Sequence, residues 1–170
     1  MFVIFKPLRM LFRALADQSS PRQLAMGLAL GILVGLIPKG NLLAIALGMM
    51  LASLRVNLGV AGAAVLCCTM LSPWFDPLSH RIGLYLLEHP DLHSGWTWLY
   101  NQPLAPWTDF NNSVVLGSFV LGLLLLYPAY RISRPVFERY SKSVNTFARR
   151  FWLTRVLLGA DLASRVGLVE

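Results

Sequence analysis

The 170-residue chain is 56% hydrophobic and 14% charged, with a mean hydropathy of +0.58 and a formal net charge of +7. That composition excludes an ordinary soluble domain. It also argues against a nucleic-acid partner, because the basic residues border apolar runs, where attraction to an anionic leaflet accounts for them more simply.

The charge is segregated: residues 24 to 71 hold only Lys39 and Arg55, while residues 131 to 170 hold eight basic residues against Glu138, Asp161 and Glu170. A bilayer imposes such a pattern.

In residues 1 to 19, Phe5, Leu8, Phe12 and Leu15 share one helical face and Lys6, Arg9 and Arg13 another, which predicts an amphipathic interfacial helix. Ala14-Leu15-Ala16 has the form of a signal cleavage site, but Lys6, Pro7, Arg9 and Arg13 interrupt the apolar core that a signal peptide needs.

Residues 20 to 75 are read as a glycine-rich helical hairpin and a first crossing. Ser19-Ser20-Pro21 supplies a cap and a first-turn proline. Apolar runs follow at Leu24 to Ile37, Leu42 to Leu54 and Leu58 to Leu71, separated by Pro38-Lys39-Gly40-Asn41 and Arg55-Val56-Asn57. A run of this length rises only about 21 Å against a hydrocarbon core of about 30 Å. The first two runs therefore predict a re-entrant hairpin entered from the cytoplasmic side, with two short crossings as the alternative. The third reaches a spanning length from Val56 to Phe75 if Arg55 snorkels and Trp74 sits in the opposite interface. Gly27, Gly31 and Gly35 form one small-residue stripe and Ala44, Gly48 and Ala52 a second. The spacing predicts tight packing of the two hairpin helices on each other, with homo-oligomerisation as the alternative.

Residues 76 to 112 carry Asp76, Glu88, Asp91 and Asp109 against Arg81, and are read as an external segment whose Trp96, Trp98, Tyr100, Trp107 and Phe110 form an interfacial belt. Residues 113 to 131 are uncharged as far as Tyr130 and form the second crossing, with a kink at Pro128. Ser133 and Pro135 then begin a basic amphipathic helix in the cytoplasmic segment 132 to 170. Both termini are expected in the cytoplasm.

The fold class is thus all-α and integral to the membrane: a short hairpin plus two transmembrane helices, flanked by amphipathic interfacial helices. Lys39, Asn41 and Arg55 are the candidate contacts for an anionic lipid, since a lysine at membrane depth needs a head group, water or protein beside it. Metal binding is not expected, because Pro90 interrupts the pair His89 and His93. The adjacent Cys67 and Cys68 read as small packing residues. No phosphate loop, nucleophile elbow or dinucleotide fingerprint is present, so neither cofactor nor catalytic residue is assigned.

The stretch from Ser20-Pro21-Arg22-Gln23 through Gly27, Gly31, Gly35 and Pro38 to Gly40-Asn41-Leu42-Leu43, with Arg55-Val56-Asn57 and Leu71-Ser72-Pro73 after it, resembles the bacterial membrane family called domain of unknown function 2062. The resemblance covers roughly residues 20 to 88. Lys39 in the break, and Ser72 where asparagine usually precedes the proline, depart from the commoner pattern. The resemblance implies a compact bacterial inner-membrane domain without an established activity. Relatives attached to glycosyltransferases, or accompanying a large envelope protein, imply an accessory role. From these features the chain is expected to be a non-enzymatic accessory or scaffold subunit for an envelope protein, one that handles lipids being the first candidate. A small lipid or solute transporter with Lys39 as its anion contact is the alternative.

Overall fold

The computed structural model describes residues 20–150, with side chains as far as Arg139. Among the described residues there are five α-helices and no strand: α1 (Pro21–Leu36), α2 (Leu42–Ser53), α3 (Leu58–Glu88), α4 (His93–Tyr100) and α5 (Ser113–Arg150). Short 3-10 turns at Pro90–Leu92 and Ala105–Thr108 flank α4. The predicted N-terminal helix of residues 1 to 19 and the tail beyond residue 150 lie outside the described residues.

The helix starts follow from local side chains. Ser20 and Gln23 form a reciprocal capping box, with the Gln23 N–H donating to Ser20 Oγ at 3.3 Å and the Ser20 N–H to Gln23 Oε1 at 3.0 Å. Asn41 caps α2 by accepting from the Ala44 N–H at 2.8 Å, and Asn57 caps α3 by accepting from the Val60 N–H at 2.9 Å.

Helix α1 is the centre of the fold. It packs on both α3 and α5, which also pack on each other, and ten of its sixteen residues are buried. Leu30, Leu33, Val34 and Ile37 meet Ala44 and Leu51 of α2, Ala61 of α3 and Val115 of α5 in one core. Along α1, a methyl group added at Gly27 would strike the Asn57 carbonyl, at Gly31 the Ala61 carbonyl and Ala64, and at Gly35 Val65 and Cys68. The order rises on both helices, so α1 and α3 run parallel. Helix α5 runs against them: Gly83 lies on Ser113, Gly117 on Ser79 and Gly122 on Leu33.

This corrects the expected pairing of the two small-residue stripes. Gly27, Gly31 and Gly35 receive α3, not α2, and a side chain at Gly48 would meet nothing within 4 Å. The physical reason is chain direction. Helix α2 returns the chain to the level at which α1 began, which frees α3 to lie beside α1 over the full length of the glycine stripe.

Two helix ends also differ from expectation. Helix α3 passes through Pro73 and Pro77 to Glu88, beyond the Phe75 exit, and α5 passes through Pro128 and Pro135 with no break at Ser133. A proline removes one intrahelical donor, and a nearby hydroxyl can take over the freed carbonyl. For Pro73 that carbonyl is on Thr69, and Ser72 Oγ donates to it at 3.1 Å. Ser133 is buried and its hydroxyl donates to the Tyr130 carbonyl.

Leu58–Glu88 and Ser113–Arg139 are long and apolar enough to cross a membrane. Only 17% of the most apolar stretch of α3 is buried, and Leu66, Met70 and Trp74 are exposed on its outside. The core helix of a soluble protein would be covered.

Candidate functional site

The break between α1 and α2 is a built structure. Pro38 disfavours helix at Ile37, which is extended (φ −74°, ψ 130°), so α1 ends at Leu36. The last carbonyls of a helix have no intrahelical donor. Here Lys39 supplies one: its ammonium donates to the Val34 carbonyl at 2.5 Å, to Ile37 at 2.7 Å and, more weakly, to Gly35 at 3.4 Å. Its positive charge also suits the negative end of the helix dipole. Gly40 has φ of +105°, which permits the reversal. Asn41 is buried and holds both sides of the break, donating Nδ2 to the Pro38 carbonyl at 2.9 Å while capping α2.

Helix α3 adds to the same place. Thr69 Oγ1 donates to the Gly35 carbonyl at 3.2 Å, so Thr69 and Lys39 converge on one oxygen. From Thr69 onward, Ser72, Asp76 and His80 follow at intervals of three or four and share one side of the helix. At the upper end, His80 Nδ1 and Ser113 Oγ lie 2.6 Å apart and join α3 to α5.

Of the residues expected to contact an anionic lipid, Lys39 and Asn41 are brought together, each engaged with the chain's own backbone. Arg55 is not with them. It is exposed just after the far end of α2, beside Asn57, whose N–H donates to the Gln23 carbonyl. Among the glycines, Gly27, Gly31 and Gly35 pack as close-approach residues and Gly48 does not.

The aromatic residues of the segment 76–112 divide. Phe110 is buried, with Trp96 stacked on it at 5.8 Å and Tyr100 edge-on at 6.2 Å, and Trp96 Nε1 donates to the Leu86 carbonyl. Trp98 and Trp107 remain exposed. His89 lies edge-on to Tyr85 and 3.8 Å from Asp91.

Sequence reasoning missed Thr69 and Ser72 as site residues, and missed the close crossing of α3 and α5. The signal for the crossing was present as Ser79-x-x-x-Gly83 and Ser113-x-x-x-Gly117, two short small-residue stripes.

These features define a small helical-bundle protein with two membrane-length helices and a shorter apolar pair joined by a polar, capped tip. The chain belongs to the family DUF2062, described as an uncharacterized protein conserved in bacteria, whose model matches residues 7–145. A protein of Treponema pallidum (strain Nichols), named only as uncharacterized, is 28% identical over 130 residues, covering 76% of this chain and 80% of its own. No solved structure matches the chain.

Proposed function

We propose that the protein is a non-enzymatic accessory or scaffold subunit of the bacterial inner membrane, holding an envelope protein through the outward face of α2. The observation that carries this reading is the incomplete cover of α2. Only Ala44 and Leu51 are buried on it, while Ile45, Met49 and Met50 are exposed and space stands open at Gly48. A helix apolar on every side is covered by lipid or by protein, and the open glycine position suits the close approach of a second helix. Methionines add an adaptable surface.

In this reading α3 and α5 cross the bilayer, and α1 and α2 form a hairpin that enters from the side of Arg22 and Arg55. Thr69, level with the tip, is twelve residues beyond Asn57, a rise of about 18 Å, so the hairpin stops short of a full span of about 30 Å. Acidic residues dominate from Asp76 to Asp109 and basic ones from Arg131 onward, which supports cytoplasmic termini and an external segment between the crossings. A partner that handles lipids is the first candidate, because anionic lipid of the inner leaflet is the neighbour of the basic ends. The transporter alternative draws no support from Lys39, whose ammonium is engaged by the Val34 and Ile37 carbonyls at the end of α1.

A photo-crosslinking residue at Met49, compared with one at Leu66 on the outside of α3, tests the proposal by mass spectrometry after mild detergent extraction. The expected result is one stoichiometric envelope protein joined at position 49 and lipid at position 66. A chain that joins lipid at both positions and purifies alone contradicts it.

A further inference from the structure

The hairpin tip sets a physical problem. Residues 37–41 are non-helical, and Lys39 and Gly40 are exposed. At membrane depth, irregular backbone is tolerated only where protein buries it or water reaches it. The described residues leave Gly40 and part of Lys39 uncovered, although the Lys39 ammonium is held against carbonyls.

Helix α3 changes character at the same level. Below the tip its bundle side carries Ala61, Ala64 and Val65 against α1. Above it, where α1 has ended, the side continues as Thr69, Ser72, Asp76 and His80. The opposite side at the same depths stays apolar and exposed, with Met70 and Trp74. Thr69, Ser72 and Asp76 are half-buried, so the polar residues face inward and the apolar ones outward. The Thr69 and Ser72 hydroxyls donate to backbone carbonyls, but the Asp76 carboxylate in that position is costly against hydrocarbon and inexpensive against water.

We propose that the bundle holds a water-filled vestibule, open toward the side of residues 89–112, with Thr69, Ser72 and Asp76 as its wall, the exposed His80 at its rim and the Lys39–Gly40 tip as its floor. It admits water and small hydrophilic solutes to the ammonium of Lys39. From Asp76 to Thr69 is seven residues, a depth of about 10 Å. The inference rests on the membrane placement proposed above. Re-entry from one face and a vestibule from the other are compatible, because together they thin the barrier at the tip.

The test uses the full chain with Cys67→Ser and Cys68→Ser, reconstituted in sealed vesicles, and a charged, impermeant methanethiosulfonate as probe. Ser72→Cys and Asp76→Cys report the wall; Met70→Cys and Trp74→Cys report the opposite side at matching depths. The reacting species is the thiolate, which forms only where water reaches it. Ser72→Cys and Asp76→Cys are therefore expected to react from the external face at least about tenfold faster than Met70→Cys. Gln102→Cys is the reference. If it reacts from outside while Ser72→Cys and Asp76→Cys are as slow as Met70→Cys, the vestibule is overturned and the topology stands. If Gln102→Cys is unreactive from outside, the topology is overturned and the outward opening with it.

Discussion

The Asn57 backbone N–H donates to the Gln23 carbonyl at 3.3 Å, so α3 starts beside the first turn of α1. From that start the contacts of Gly27, Gly31 and Gly35 rise in step along α3, which sets the two helices parallel. Among membrane helices the hydrophobic effect gives little attraction, and close backbone approach supplies the dispersion contacts instead.

Gly31→Leu is expected to reduce accumulation sharply and to lower the detergent melting temperature, since the new side chain would enter the Ala61 carbonyl and Ala64. Overpacking of this kind costs about 1–3 kcal/mol or more. Gly48→Leu, at a position with open space, is expected to melt like the parent. Equal loss in both variants would contradict the packing.

Lys39→Met removes the donors to the Val34 and Ile37 carbonyls. Hydrogen bonds from a charged group contribute about 1.5–3 kcal/mol, so a clear loss of thermal stability is expected, with retention of anionic lipid unchanged. Lipid loss at unaltered stability would restore Lys39 as a head-group contact.

Ser72→Ala leaves the Thr69 carbonyl without its side-chain donor, at a cost of about 1 kcal/mol. Pro73→Ala returns a backbone N–H to that carbonyl, so the double variant should be more stable than the effects of the two single changes added together predict. Strict additivity in a double-mutant cycle would show that Ser72 does not compensate for Pro73.

The caps, the two long helices and the hairpin break were legible in the sequence because each depends on neighbours in the chain: Ser20 with Gln23, Asn41 with Ala44, Pro38 with Gly40. The partner of the glycine stripe was not. Spacing shows that a face admits a backbone but does not show whose, and Ala44-Gly48-Ala52 offered a nearer candidate than Ala61 and Ala64. The passage of α3 through Pro73 was hidden for a related reason: a proline reads as a stop until the hydroxyl that takes over its freed carbonyl is seen in place. The engagement of Lys39 likewise depends on where the end of α1 turns.

The central claim, that the hairpin opens on one side of the membrane and residues 89–112 lie on the other, is tested most directly by impermeant thiol labelling. Arg55→Cys and Gln102→Cys are each placed in a chain whose two native cysteines are serine. In intact cells Gln102→Cys is expected to react at once and Arg55→Cys only after the membrane is opened. Labelling of Arg55→Cys in intact cells, or protection of Gln102→Cys until lysis, would contradict the account.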